Sequence, residues 1–323
     1  MTAEFKLEQV ELLTRPCTEL EELLKEVRAA RRWADTAASS LGARVAALAT
    51  SPFHGDNHVS ASARFEKMMD DYVLTAREQL TCGLHVHVGI ESADEGVAVM
   101  DRLRVWLPLL TALSTNSPYW QGSDSGYASY RSQAWNRWPL TGPAPLLGSA
   151  EAYATLRQDV LATGVPLDEG MMYYDVRLSR IHPTIEIRVA DVCLYATDSV
   201  ILAGLVRALV ETSSREWQQG TPPPTVSDAV LRLASWRASR SGVNGELLDP
   251  RTQHPVPARQ AIEALLQHAA PALRPAGDHD RIRSGLDRIL SRGTGERHQR
   301  DVFGRTGSLS QVALEAVRVT TDS

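Results

Sequence analysis

Thr81-Cys-Gly-Leu-His-Val-His-Val-Gly-Ile90 sets two imidazoles two residues apart inside a run with strand periodicity. Side chains alternate across a pleated strand, so Leu84, Val86 and Val88 take one face while His85, His87 and Gly89 take the other. The run reads as a buried strand that builds core with one face and presents imidazole with the other. Pro183-Thr-Ile-Glu-Ile-Arg-Val-Ala-Asp191 repeats the pattern, with Ile185, Ile187 and Val189 inward and Thr184, Glu186 and Arg188 opposite. If both strands share a sheet, their polar faces join into a concave floor holding two histidines, a carboxylate and a guanidinium. Few structural cores need that set.

The 323 residues, 43% of them hydrophobic, suffice to fill a large core. We expect a single domain over 1–323, with a sheet-bearing part over 1–219 and a helical part over 226–323, joined by the stiff break Gly220-Thr-Pro-Pro-Pro-Thr225. A net charge of −5 gives no basis for nucleic acid or an anionic membrane as partner. No apolar run reaches the roughly 18 residues that a bilayer span needs. With no basic-then-apolar signal pattern at the N-terminus, a cytoplasmic location is expected. Cys17, Cys82 and Cys193 are widely spaced with no C-x-x-C pair, which points to reduced thiols rather than a disulfide framework or zinc knot.

Taken in order, residues 4–14 read as a short strand with Gln9 and Glu11 on one face and Val10 and Leu12 on the other. Thr18-Glu-Leu-Glu21 has the form of a capping box opening a helix that stops near Gly42, and Arg44 to Thr50 reads as the next strand. The loop Ser51–His58 carries two further histidines, and residues 62–80 form an amphipathic helix. Ser92-Ala-Asp-Glu95 is a second capping box, before a long buried helix through Leu113 that Pro108 should kink. Asn116 to Pro139 has neither period but is rich in Trp, Tyr and Arg, the composition of an ordered loop lining a pocket. Arg131 and Arg137 would be its anion-binding groups, since a guanidinium fork matches carboxylate or phosphate oxygens in pairs. Met171 to Ser179 reads as a strand in a hairpin with the Glu186 strand, placing Asp175 and Arg177 on one face. Beyond Thr197 the pattern is almost all helical. Trp236, Arg237 and Arg240 lie near one helix face, and Arg292-Gly-Thr-Gly-Glu-Arg-His-Gln-Arg300, which contains Arg297, reads as a basic turn able to offer N–H groups and guanidinium to an anion.

Carboxylates and histidines beside several arginines suit a hard cation with phosphate. Mg²⁺ takes carboxylate and phosphate oxygens, while arginine offsets charge on a transferring phosphoryl group. The sequence has no G-x-x-x-x-G-K-[ST] and no G-x-G-x-x-G after a strand, so a nucleotide would be held by neither a P-loop nor a Rossmann crevice. Zinc is the competitor, because H-x-H on a strand with a distant carboxylate binds zinc in hydrolases. The lack of H-E-x-x-H and the surplus of arginine speak against it.

Cys82-Gly-Leu-His-Val-His-Val-Gly89, Leu113-Ser-Thr-Asn-Ser-Pro118, Gly126-Tyr-Ala-Ser-Tyr-Arg131, Arg137-Trp-Pro139 and Pro183 to Val192 together resemble the carboxylate-amine ligase branch of the glutamate–cysteine ligase type 2 family. The resemblance implies an α+β fold like that of glutamine synthetase: a curved antiparallel sheet with a concave active-site face, backed by helices, and a mostly helical C-terminal third. It implies ATP and Mg²⁺ as cofactors, a carboxylate such as the γ-carboxylate of glutamate, and a small amine that displaces phosphate from an acyl phosphate. Carried over by motif, Glu11, Glu186 and His87 would be metal ligands. Arg188, His85 and His87 would act at the reacting centre, with Arg188, Arg237 and Arg297 on ATP or phosphate. Arg131, Arg137, Tyr127 and Trp120 would line the substrate pocket.

One departure accompanies the match. Family members usually begin with a strand of the form G-[IV]-E-E-E-[FY], ahead of the position of Glu11, and the printed chain starts at Met1 without such a segment. A sheet edge left open in this way would be covered by a homodimer or a partner chain. Two alternatives to the ligase follow from the same departure: an ATP-independent amidase or acyl-transfer enzyme using His85, His87 and a retained cation, or a non-catalytic binding subunit.

Overall fold

The structure, a computed structural model, describes residues 4–322. Helices α1 (Leu20–Ser39) and α2 (Ala63–Glu78) precede β1 (Gly83–Gly89), which carries the two histidines. Then come α3 (Ala93–Leu103), α4 (Leu107–Ser114), the small hairpin β2 (Tyr119–Trp120) and β3 (Ser123–Asp124), α5 (Tyr130–Trp135) and α6 (Ala150–Ala162). Strands β4 (Val176–Leu178) and β5 (Thr184–Asp191) lead into α7 (Ala196–Gln218) and α8 (Asp228–Ser241). The chain closes with a hairpin of β6 (Glu246–Leu248) and β7 (Pro255–Pro257) and helices α9 (Ala258–Leu273), α10 (His279–Arg292), α11 (Gly295–Thr306) and α12 (Leu309–Asp322). This is the expected α+β class, with a helical C-terminal third and antiparallel strands.

The principal sheet has three strands in the order β1-β5-β4, both pairings antiparallel. Its apolar face forms as the alternation predicts. Ile185, Ile187 and Val189 sit in the main core, Leu84, Val86 and Val88 pack against it, and α3, α4 and α7 supply the opposing surface. Each fully buried aliphatic side chain adds about 1.5–3 kcal/mol by leaving water. The central strand is β5, whose residues Ile185 to Asp191 are all buried. Strand β1 is an edge rather than a buried strand, and His87 on it is exposed.

Several local expectations give way. Residues 4–14 form no strand; the segment is tied instead by a bridge from Lys6 to Val59 and by Phe5 entering an aromatic cluster with Trp138 and Tyr173. Alternation alone made no strand because no neighbouring strand pairs with it over its length. Residues 44–50 meet the segment just before β1 through the Thr50–Thr81 bridge and the bond from Cys82 N–H to Ala49 O, and form no strand. Helix α1 starts at Leu20 with Glu19 as its cap and no side-chain capping bond, because Thr18 lies one residue too early. The helix expected through Leu113 ends at Leu103 and restarts at Leu107, with Pro108 in the first turn of α4, where its missing N–H is harmless. The β6–β7 hairpin lies in a region that read as almost all helical.

Candidate functional site

Antiparallel register places His87, Glu186 and Arg177 in one row across the sheet: Glu186 is the partner of His87 on one side and of Arg177 on the other. Arg177 Nε donates to Glu186 Oε2 at 2.7 Å, and Arg188 Nη1 donates to Oε1. His85 Nδ1 stands 3.5 Å from the same Oε1. His87 turns its Nδ1 to Thr184 Oγ1 at 3.0 Å. Burial pushes the Glu186 carboxyl up, but Arg188 and then Arg177 outweigh it and hold the group below the usual carboxylate range. Burial, and then Arg188, Arg131 and Arg177, keep His85 far below the ordinary imidazole range, so it is neutral at pH 7. Burial also lowers His87, with Glu186 opposing the shift. Arg188 is itself brought down to about 10 by burial and by the neighbouring Arg177.

Glu11 reaches this cluster through Glu4. Burial first, and then a hydrogen bond and repulsion from Glu11, push Glu4 up to about 7, while Arg188 draws it the other way. Glu4 therefore holds a proton near neutrality. Among the described residues no three His, Cys, Asp or Glu side chains are arranged to hold a metal ion. Both oxygens of Glu186 are engaged by guanidinium groups. Glu11, Glu186 and His87, the expected metal ligands, thus do not form a cage for a divalent ion; the acidic groups are matched to arginine and to each other.

The other expected residues lie in separate places. Arg131 is 4% exposed. It donates through Nη2 to Arg188 O at 3.2 Å and through Nη1 to Val189 O at 3.4 Å, and it pairs with Asp191 at 3.7 Å. It lies within the sheet's support rather than on an open surface. Trp120 and Tyr127 belong to an aromatic row in which Tyr130 is 5.4 Å from Trp120 and 5.9 Å from Tyr127, centroid to centroid. Trp236 Nε1 donates to the Tyr127 hydroxyl at 3.3 Å. Arg137 lies over Trp120 at 5.9 Å and pairs with Glu78. Arg237 pairs with Glu246 at 3.2 Å, and Arg297 with Asp301 at 3.9 Å within its own helix. No contact among the described residues joins Arg237 or Arg297 to the Glu186 row. The basic turn expected at 292–300 is the end of α10, a two-residue link and the first half of α11, and Glu296 N–H there is already spent on Thr115 O at 3.1 Å.

Sequence reasoning missed two members of the cluster. Arg177 was visible as a polar position beside Asp175, but its pairing with Glu186 depends on a register that alternation does not fix. Glu4 was hidden because its segment read as a strand with Glu11 as the relevant carboxylate. A hollow of about 600 Å³ between α12 and the Arg44–Phe53 segment is built by other residues and shares none with the Glu186 row.

Comparison with solved structures shows a shared fold. The Pup ligase PafA of the prokaryotic ubiquitin-like modification pathway, in complex with ADP, superposes with a TM-score of 0.51 at 14% identity, covering 95% of this chain and 65% of that one. The glutamate–cysteine ligase of Francisella tularensis, in complex with AMP, gives 0.50 at 13% identity, covering 72% and 59%. At those identities the likeness is one of fold. The family model described as glutamate–cysteine ligase family 2 (GCS2) matches residues 1–318. The chain belongs to that family, and so to the carbon–nitrogen ligases. A protein of Paenarthrobacter aurescens (strain TC1), provisionally named glutamate–cysteine ligase 2-1, is 53% identical over 99% of this chain and 83% of its own length. A protein of Streptomyces coelicolor, provisionally named glutamate–cysteine ligase 2, is 50% identical over 97% and 86%.

Proposed function

We propose that this protein is an ATP-dependent ligase that joins a glutamate-like carboxylate to a small amine through an acyl phosphate. The observation that carries the reading is the Glu186 row, in which one buried carboxylate fixes two guanidinium groups beside a neutral imidazole. Donors held in place before reaction stabilise developing negative charge without reorganising. Arg188 fits that task, since its Nε is buried with no hydrogen-bond partner. His85, kept neutral at pH 7 by burial and the surrounding guanidinium groups, serves as a neutral hydrogen-bonding partner of the reacting groups and not as their base. Family membership supports the bond type, and the nucleotides bound by the two solved ligases support ATP. Mg²⁺ enters this reading only as the counter-ion of the nucleotide phosphates, because the side chains present do not make its cage.

In the same reading Arg137, Trp120 and Tyr127 flank the substrates, and the enzyme works in the cytoplasm as a homodimer that covers the β1 edge. The test uses purified protein with ATP, Mg²⁺ and a panel of glutamate-like acids and small amines. The expected result is ADP and phosphate release that requires one acid and one amine together. Nucleotide cleavage with no such pair, or none at all across the panel, overturns the reading.

A further inference from the structure

A bulge lies beside the Glu186 row. Leu84 pairs with Ala190 while Val86 pairs with Ile187, so Arg188 and Val189 together stand opposite His85 alone. Bulges of this kind re-aim a side chain and leave ladder groups without a strand partner. Here the carbonyls of both bulged residues are taken by one side chain, the Arg131 fork, at 3.2 Å for Arg188 and 3.4 Å for Val189. The same guanidinium lies against β1, where a Cβ on Gly83 would be 2.4 Å from Nη2. Asp191 anchors it from the end of β5. That carboxylate is 0% exposed, is 3.7 Å from Arg131 Nη1, and accepts from Asn116 N–H at 2.8 Å, Ser117 Oγ at 2.7 Å and Ser129 Oγ at 2.8 Å.

We propose that Arg131 and Asp191 form a positioning pair which holds the β5 bulge and thereby aims Arg188 and His85, and that Arg131 does not contact substrate. Three hydrogen-bond donors and the Arg131 guanidinium, from two segments, converge on Asp191, and none of them leads to an open surface. Through it, the end of α4, the start of α5 and the bulge are fixed to one another. The Nε of Arg131 is buried without a partner, in a residue that is 4% exposed. Its burial argues for support, and the substitutions below separate the two roles. The kinetic arm of the test rests on the ligase reading; the spectroscopic arm does not.

Arg131→Lys keeps the charge and loses the fork, whereas Asp191→Asn keeps the shape and loses the charge. Positioning predicts that each lowers kcat by about ten-fold or more. KM for the carboxylate stays within about three-fold of wild type. The double variant falls no further than the worse single one, because both act on one bulge. A KM rise confined to Arg131→Lys, with Asp191→Asn near wild type, marks a substrate contact and overturns the proposal. In the free protein, imidazole NMR should show both variants moving the His85 resonances while those of the exposed His254 stay in place. An unmoved His85 in Asp191→Asn overturns the proposal whatever the kinetics. Movement in both variants of a protein without ligase turnover upholds the positioning pair and removes the ligase reading instead. If Asp191→Asn does not fold, Ser129→Ala, which deletes one donor to Asp191, replaces it with the same expected direction.

Discussion

His87 and Glu186 are direct partners in the β1–β5 ladder, yet the carboxylate accepts its hydrogen bonds from Arg177 and Arg188 and leaves the imidazole to Thr184. Charge decides this. A carboxylate bond to a guanidinium is shorter and roughly twice as strong as one between neutral groups, and a neutral His87 does not compete. The row therefore stores two oriented cations on one buried anion.

Glu186→Gln tests that arrangement. Arg188 would remain buried beside Arg177 with no charge opposite, and removing one member of a buried pair costs about 3–5 kcal/mol. Urea unfolding should show a loss of that order, and ligase turnover should fall by about 10²–10³-fold, as when a fixed electrostatic donor is lost. A variant within about 1 kcal/mol of wild type would mean that the two guanidinium groups hold their places without Glu186.

Gly83→Ala is predicted to destabilise through one contact. The backbone of Gly83 is not in the left-handed region, so the added methyl is penalised only for meeting Arg131 Nη2 at 2.4 Å. Overpacking of this kind costs about 1–3 kcal/mol. In the double variant Gly83→Ala/Arg131→Ala the clash disappears, so its loss of stability should be smaller than the sum of the two single losses by about 1 kcal/mol or more. Strictly additive losses in urea denaturation would show that the fork and Gly83 do not compete for space.

The two long strands were legible because each carries its own alternation: the apolar residues of β1 and β5 went to the core and the polar ones to the opposite face. Their convergence on Glu186 was legible for the same reason. Register was not, so Arg177 was left out and the bulge at His85 went unseen. Arg131 looked like a loop arginine free to bind an anion, because nothing near it in sequence announces Asp191 as its partner. Gly293 and Gly295 made residues 292–300 look like a turn. In the fold Gly293 ends α10 with φ of 90°, and Gly295 starts α11 where a Cβ would lie 2.0 Å from Asn116 Oδ1. That helix start is set by tertiary contact, which local composition does not encode.

The second capping box was readable and has a consequence for stability. Ser92 Oγ accepts from Glu95 N–H at 3.1 Å, while Glu95 accepts from Glu91 N–H at 2.6 Å and from Ser214 Oγ on α7 at 2.6 Å. Ser92→Ala removes the first bond alone and should cost about 1 kcal/mol. Glu95→Ala also severs α3 from α7 and should cost more. Equal losses for the two, measured by thermal unfolding, would show that the bond to Ser214 contributes nothing.

His268 should give the fold a measurable acid sensitivity. Its ring stacks on Trp106 at 4.3 Å and 14°, and its Nε2 is buried with no hydrogen-bond partner. Burial, and to a lesser degree Arg251, lower it from 6.5 to about 4. The unfolded chain takes up the proton below about pH 6.5 while the folded protein resists it until about pH 4. The stability due to the neutral ring is therefore complete above pH 6.5 and is lost as pH falls towards 4, by an amount on the order of 3 kcal/mol. His268→Phe keeps a ring on Trp106 and carries no proton, so its stability should decline less steeply than wild type across that window. Urea midpoints recorded from pH 7 to pH 4 make the comparison. Parallel curves would show that the ring is charged in the folded protein as readily as in the unfolded chain.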